Sequence, residues 1–194
     1  MTSLYFITHP DVLIDPNVPI PDWPLSPRGR DRMRTMLTQP WIPTLGAVWC
    51  STERKAIDGA TIIADAIGTP PHVLAALGEN DRSSTGYLPR VEFEATADAF
   101  FANPRDSIRG WEKAIDAQHR IVAAIATVQA QTPADHDIAV MSHGGVGALL
   151  LCHLKQRMIS RTEDQPGTNG GNFYCFDRET YSLRHGWMRI DVIP

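Results

Sequence analysis

The chain of 194 residues predicts an α/β fold, a three-layer α/β/α sandwich built on a mostly parallel, mixed sheet. Short apolar runs of strand type alternate with longer segments whose apolar residues recur at helical spacing. The last two predicted strands, over 172–176 and 181–190, have no helix between them, and we expect an antiparallel pair. The composition is even along the chain, so we expect one domain over residues 1–194.

Two of the predicted strands end at a histidine. The first strand, over residues 4–8, precedes His9, and another, over 138–142, precedes His143. Both runs are apolar and contain β-branched residues, which is typical of buried strands. In open α/β sheets, ligands bind at the carboxyl ends of the strands. We therefore expect one site that contains both imidazoles, one for chemistry and one in support.

The elements between these strands keep the alternation. Prolines exclude a helix or a central strand from residues 15–24, and a loop of this length is often functional. Ser26 is the predicted N-cap of the next helix, with Pro27 at its first position. The remaining predicted elements are strands over 47–50 and 72–74, a helix from a cap at Ser51 or Thr52 to Gly68, and helices over 91–101, 106–131 and 145–154.

Composition excludes several classes of function. A net charge of −4 without a basic patch gives no case for a nucleic-acid partner. No apolar run approaches the length of a membrane span, and the first residues lack the features of a signal peptide, so we expect a cytoplasmic protein. Three cysteines without close spacing argue against a disulfide framework or a zinc site, and we expect buried thiols. Exposed edge strands would permit a homodimer.

Five segments, in order, resemble the motifs of the histidine phosphatase superfamily, which has the phosphoglycerate mutase-like fold. That family has a strand followed by Arg-His-Gly, then Leu-Thr-x-x-Gly, Ser-Ser-x-x-x-Arg-Ala, Leu-x-Glu, and finally a strand followed by His-Gly-Gly. The corresponding segments here are residues 8–10, 25–29, 50–56, 77–79 and 143–146. The resemblance implies a phosphatase that acts through a phosphohistidine and needs neither a metal nor another cofactor.

The residues themselves fit phosphoryl transfer. Such a reaction needs an in-line nucleophile, cationic groups around the phosphoryl oxygens and an acid for the leaving group. His9 is the candidate nucleophile, because an unperturbed imidazole has a pKa of roughly 6.5. His143 is the candidate donor to the phosphate, and the amides of Gly144 and Gly145 begin a helix, a favourable place for an anion. Glu79 is the candidate general acid.

Six residues are candidates to bind the phosphate: Thr8, Ser51, Arg54, Lys55, Arg82 and Gly144. A basic pair in the first turn of a helix is mildly unfavourable, which hints at an external anion near Arg54 or Lys55. The alternative for this pair is an exposed helix face. Asp81 is the alternative to Glu79 as the acid. Trp111 and Arg109 either belong to the packing of the fold or line the substrate cavity.

This chain departs from the family at the first motif. Thr8 stands where the family has an arginine, and Pro10, which has no amide hydrogen, stands where the family has a glycine. Lys55 aligns with the second family arginine and offers a point charge instead of a fork of donors. Arg82, three residues after Glu79, is the expected compensating cation. The alternatives to it are Arg28 and Arg30.

The predicted function is hydrolysis of a phosphomonoester, with a small phosphorylated substrate or phosphate as the ligand. The alternative is a regulatory protein that keeps the phosphatase scaffold and binds phosphorylated ligands with little or no turnover. A phosphoglycerate-type mutase is disfavoured. Mutases of this family resemble longer chains with additional loops, and this chain lacks room for such loops. The loop over 15–24 and the segment over 82–109 are expected to shape specificity, without identifying the substrate.

Overall fold

A computed structural model describes residues 2–192, in which strands and helices alternate as predicted. The strands are β1 (Ser3–Thr8), β2 (Leu45–Cys50), β3 (His72–Val73), β4 (Asp137–Ser142), β5 (Asn172–Asp177) and β6 (Leu183–Arg189). The α-helices are α1 (Pro27–Met36), α2 (Arg54–Ile67), α3 (Arg90–Ala102), α4 (Ala114–Ala130) and α5 (Gly144–Leu154). Short 3₁₀ turns lie in several of the connections.

The strands of the described region form one sheet in the order β3-β2-β4-β1-β5-β6. The pairs β2–β3, β2–β4 and β1–β4 are parallel, whereas β5 pairs antiparallel with both β1 and β6. The mixed, mostly parallel sheet is therefore confirmed. In the central pair, Thr8 lies opposite Ser142, so the residues that follow β1 and β4 leave the same edge of the sheet side by side.

Helices cover both faces of the sheet, which confirms the three-layer arrangement. Helices α4 and α5 pack on one face, and α1 and α2 pack on the other. Both faces of the central strands are consequently buried, as a parallel sheet between helices requires. The first layer includes Ile121, Ile125, Leu150 and Leu151. The second includes Met33, Met36, Ala60 and Ile63.

The predicted helix over 106–131 begins too early. Helix α4 starts only at Ala114, and Ile108–Gly110 form a separate 3₁₀ turn. Arg109 and Gly110 have φ values of 53° and 82°, a left-handed conformation that an α-helix cannot contain. Trp111 is held by a 2.9 Å hydrogen bond from its Nε1 to Thr85 Oγ1, which fixes the turn against a neighbouring loop.

The predicted N-cap of α1 is confirmed, whereas the predicted N-cap of α2 is not. Ser26 Oγ accepts a 3.0 Å hydrogen bond from the amide of Gly29, as predicted for an N-cap. The predicted cap of α2 is wrong: the helix begins at Arg54 with Glu53 before it, and no side chain caps it. Gly68 ends this helix with a φ of 71°, as expected for a left-handed C-cap.

Two further expectations concern membranes and thiols. Within residues 2–192, no helix combines the length and the apolarity that crossing a bilayer requires. Cys50, Cys152 and Cys175 are buried and form no disulfide in the described part of the chain, as the sequence predicts.

A close backbone contact at Gly29 joins α1 to the segment that follows β1. A Cβ atom at this position would lie 2.2 Å from the carbonyl oxygen of Asp11, which is backbone and cannot swing aside. We expect Gly29→Ala to lower the free energy of unfolding by about 1–3 kcal/mol through overpacking, measured by urea denaturation. Gly186→Ala is the matched control, because no atom lies within 4 Å of a Cβ there. Equal stability of the two variants would contradict this account.

Candidate active site

The two predicted histidines lie together at the carboxyl edge of the sheet. The amide of His9 donates a 3.1 Å hydrogen bond to the carbonyl of Ser142, which extends the β1–β4 pairing by one residue. The ring centroids of His9 and His143 are 5.2 Å apart, with an angle of 65° between the planes. The chain therefore brings both imidazoles into one pocket from positions 134 residues apart in the sequence.

The ring of His9 is held in one tautomer. Its Nδ1 lies 3.0 Å from the carbonyl oxygen of Pro10, and a carbonyl only accepts hydrogen bonds. Nδ1 therefore carries the hydrogen, and the lone pair is on Nε2. Burial, reinforced by the positive charge of Lys55, lowers the pKa of His9 to about 4. At neutral pH this imidazole is uncharged and its Nε2 is free to act as a nucleophile.

His143 is fully buried and is held from one side. Its Nε2 lies 2.7 Å from Ser51 Oγ and 3.2 Å from Glu53 Oε1. Its Nδ1 has no hydrogen-bond partner among residues 2–192. Burial lowers the pKa of His143 well below its usual value, although the charge of Glu53 acts in the opposite direction.

Glu53 is a member of the site that the sequence analysis missed. Besides its contact with His143, it accepts a 3.0 Å hydrogen bond from the amide of Glu79 and an ion pair from Lys55. Burial would raise the pKa of Glu53, but His143 and Lys55 outweigh it and lower that pKa to about 2. The available signal was an acidic residue directly before the basic pair at 54–55, at the start of a helix.

Glu79 reaches the N-terminus of α5. Its carboxylate accepts hydrogen bonds from the amides of Gly145 at 3.0 Å and Val146 at 2.9 Å. The amide of Gly145, predicted to bind a phosphate, thus binds this carboxylate instead, because helix N-termini attract any nearby anion. Arg120, a second residue that the sequence analysis missed, donates to the carbonyls of Gly78 and Glu79 and so fixes the backbone of this segment.

Two of the predicted cations lie near the histidines. Lys55 is almost fully buried, and its Nζ donates to the carbonyl of Ile20 at 2.9 Å and to Glu53. The guanidinium of Arg82 lies 5.0 Å from the centre of the Phe93 ring and lines the adjacent cavity. The positive charges of both residues contribute to lowering the pKa values of His9 and His143.

The other predicted cations bind carboxylates elsewhere. Arg54 has 60% of its side chain exposed and pairs with Asp58, one helical turn away, as the alternative of an exposed helix face anticipated. Arg30 also pairs with Asp58, at 2.7 Å, and the exposed Arg28 lies 3.6 Å from Asp11. These pairs account for all three guanidinium groups without a phosphate.

The residue in place of the first family arginine joins a polar network. Thr8 is fully buried, donates from Oγ1 to Gln165 Oε1 at 2.7 Å and accepts from the amide of Asn172 at 3.0 Å. Gln165 Oε1 also accepts from Asn172 Nδ2 at 3.0 Å. The Gln165 amide group lies against Gly144, where a Cβ atom would come within 2.3 Å of Nε2. Gln165 has no motif context, and the sequence alone gave no signal for it.

A cavity of about 450 Å³ lies on the Glu53 and Glu79 side of the site. Its walls come from the proline-rich loop, at 19–21, from Glu53 and from the segment over 78–83, whereas neither His9 nor His143 lines it. The proline-rich loop and residues 82–83 belong to the regions expected to shape specificity, whereas residues 78–81 lie outside those regions. Asp81 lies in the wall, where a hydrogen bond from the backbone of Ser83 lowers its pKa, so it holds its proton less well than an ordinary aspartate.

The two residues proposed as alternative cavity walls lie elsewhere. Trp111 is buried against Phe100 and Phe93 in a separate apolar cluster beneath α3, so its packing interpretation is confirmed. Arg109 is exposed and lies 3.4 Å from Glu92. Across residues 2–192, no group of three or more histidine, cysteine or acidic side chains has the arrangement of a metal site.

Comparison with solved structures gives the same fold. Bacillus stearothermophilus YhfR is 22% identical with a TM-score of 0.77, over 99% of this chain and 98% of that one. A mycobacterial glucosyl-3-phosphoglycerate phosphatase in complex with inorganic phosphate is 20% identical with a TM-score of 0.76, over 99% and 100%. An Escherichia coli K-12 protein described as a putative α-ribazole-5′-P phosphatase is 17% identical with a TM-score of 0.73, over 100% and 98%.

Sequence comparison matches this chain to a protein family but to no individual curated protein. A search of curated proteins found no match. The model of the histidine phosphatase superfamily (branch 1) matches residues 18–178, and this region contains Glu79 and His143. His9 precedes the matched region, next to the positions where Thr8 and Pro10 depart from the family motif. The match covers well over half of the chain, which therefore belongs to the histidine phosphatase superfamily, branch 1.

Proposed function

We propose that the protein hydrolyses a phosphomonoester through a phosphohistidine at His9. The observation that carries this proposal is the tautomer of His9, whose Nδ1 is committed to the Pro10 carbonyl while its Nε2 keeps the lone pair. An uncharged nucleophile beside a second imidazole fits in-line transfer of a phosphoryl group, and the cavity lined by Glu53, Glu79 and Arg82 offers room for a substrate. The substitution of glycine by Pro10 is compatible with this role, because the group used at that position is a carbonyl.

The proposed reaction has two steps, formation of a phosphohistidine and its hydrolysis. The Nε2 lone pair of His9 attacks phosphorus and the bond from phosphorus to the ester oxygen breaks. Glu79, which takes up a proton as the phosphoryl anion enters, gives that proton to the leaving oxygen. Water then attacks the phosphohistidine, the carboxylate of Glu79 takes a proton from that water, and the P–N bond breaks to release phosphate. The amides of Gly145 and Val146 fix the orientation of Glu79 for both transfers.

Positive charge for the phosphoryl oxygens comes from Arg82 and Lys55. Both groups act on the two histidines electrostatically, which supports their assignment as phosphate-binding residues. Ser51 acts through its 2.7 Å contact with His143. Thr8 has a structural role in this proposal, because its hydroxyl already bonds to Gln165 and Asn172.

A second candidate is a protein that binds phosphorylated ligands without turning them over. The observation in its favour is the ion pair of Glu53 with Lys55, which offsets one of the two cations near the histidines. A weaker attraction for the phosphoryl group stabilises the transition state less. The two candidates differ in whether bound phosphate or vanadate is accompanied by hydrolysis.

His9→Ala is expected to lower hydrolysis of an aryl phosphate, or of whichever metabolite phosphate proves to be a substrate, by about 1,000-fold or more, because the covalent step is lost. Activity would be measured in EDTA, and wild type quenched during turnover with a ³²P-labelled substrate should carry an acid-labile label that His9→Ala lacks. His119→Ala is the control, because this exposed histidine on α4 lies outside the site. Wild type that binds vanadate, measured as a rise in Tm, and never hydrolyses any phosphate supports the second candidate instead.

The protonation of His9 should be visible by NMR in the free protein. We expect its ring to titrate near pH 4, well below the value of roughly 6.5 for an unperturbed imidazole, because burial and Lys55 disfavour the charged form. Since the unfolded chain binds this proton at higher pH, the protein should lose stability as the pH falls from about 6.5 towards 4. The His9→Gln variant assigns the signal, and a midpoint near 6.5 would contradict the proposed environment.

Thr8 is either a structural residue or a ligand of the phosphate, and two substitutions distinguish these roles. Thr8→Val should lower the free energy of unfolding by about 1–3 kcal/mol, because the buried groups of Asn172 and Gln165 lose a partner. Thr8→Ser keeps the hydroxyl and should lose less. Urea denaturation and phosphate titration would be run on both variants. Unchanged stability together with a markedly weaker affinity for phosphate in Thr8→Val would show that the hydroxyl binds the ligand.

A further inference from the structure

We propose that Glu53 is a positioning residue: its carboxylate fixes the ring of His143 and supports the imidazolium that forms there when a phosphoryl anion enters the site. The catalytic consequence of this inference rests on the proposed function. The contact itself exists in the free protein and can be tested without turnover.

The contact determines which nitrogen of His143 is available to a ligand. His143 Nε2 lies 3.2 Å from Glu53 Oε1, so an unprotonated Nε2 would place its lone pair against an ionised carboxylate oxygen. We infer that Nε2 carries the hydrogen in the free protein and donates it to Ser51 Oγ, 2.7 Å away. The other nitrogen, Nδ1, is then an unprotonated atom in a fully buried ring, and it lacks a partner among residues 2–192.

A buried ring nitrogen without a hydrogen-bond partner destabilises the folded protein. Its position beside the nucleophile indicates that a ligand supplies the partner. A deprotonated phosphoryl oxygen cannot form a hydrogen bond with an unprotonated Nδ1, because both atoms are acceptors. Protonation of Nδ1 turns it into a charged donor. The proton comes from the monoanionic phosphate or from solvent, and the resulting imidazolium lies between the incoming anion and the carboxylate of Glu53.

The side chain of Glu53 takes no part in capping its own helix. Glu53 directly precedes α2, but its carboxylate accepts no hydrogen bond from the first helical amides. Its two oxygens instead contact His143, the amide of Glu79 and Lys55. One buried carboxylate thus links the supporting histidine, the segment that carries the proposed acid and a phosphate-binding cation.

The decisive variant is Glu53→Gln, which keeps an oxygen for His143 Nε2 and for the amide of Glu79 but removes the charge. The imidazolium of His143 is then less stable, so the phosphate complex loses its proton at lower pH. We expect the alkaline limit of inorganic phosphate binding, followed by ³¹P NMR or calorimetry, to move down by about one pH unit. Phosphate affinity at neutral pH should fall about tenfold.

Asp58→Asn is the matched control. Asp58 is a similarly buried, ion-paired carboxylate on the same helix, but it pairs with Arg30 and Arg54 and not with His143. Its alkaline limit should stay where that of the wild type lies. Tighter phosphate binding by Glu53→Gln at all pH values would overturn the proposal, because Glu53 would then act only as an anion that competes with the phosphate.

A measurement on the wild type covers the case in which Glu53→Gln does not fold. The ¹⁵N shifts of His143 in the free protein should report hydrogen on Nε2, and hydrogen on Nδ1 would overturn the inference. Failure of the proposed function looks different: the wild type would not hydrolyse any phosphate, while the Nε2–H tautomer and the lower alkaline limit of Glu53→Gln would still support this role. Hydrolysis by the wild type with an unmoved limit in Glu53→Gln overturns the role of Glu53 alone.

Discussion

The parallel pairing of β1 with β4 is the constraint on which the site depends. It places Thr8 opposite Ser142, and the hydrogen bond from the amide of His9 to the Ser142 carbonyl carries the pairing one step beyond the strands. The two histidines meet at this edge, where His143 is fully buried and His9 is half-buried. Desolvation favours the neutral form of both rings.

Buried ionic groups then determine how much positive charge a ligand meets. Lys55 is offset by Glu53, and Glu79 takes up amides at the N-terminus of α5. Each carboxylate costs desolvation and recovers it through several hydrogen bonds, which is the usual condition for a buried charge. The neutral network at Thr8 adds no charge where the family has an arginine. Arg82 is a predicted cation that lines the cavity, and its charge is not neutralised by an ion pair with Glu53.

The alternation of apolar runs was sufficient to predict the sheet, its layers and the meeting of His9 with His143, because strand ends and buried faces follow from local patterns. The cap of α2 and the start of α4 were not predictable in this way. Glu53 faces His143 instead of its own helix, and Arg109 adopts a left-handed conformation beside a buried tryptophan. Both outcomes depend on contacts between residues far apart in the chain, as does the bond of Gln165 to Thr8.

The same distinction between local patterns and long-range contacts applies to the residues predicted to bind phosphate. A basic pair at the start of a helix looks alike whether its charges face a ligand or solvent, and here the two members separate: Lys55 turns inward and Arg54 outward to Asp58. A helix N-terminus likewise attracts an anion without specifying its source, and Glu79 supplies one from within the chain. Under the proposed function, with these attractions satisfied internally, a phosphoryl group would be bound by Arg82 and by a proton taken up by His143. That proposal couples recognition to pH through an imidazole that is neutral in the free protein.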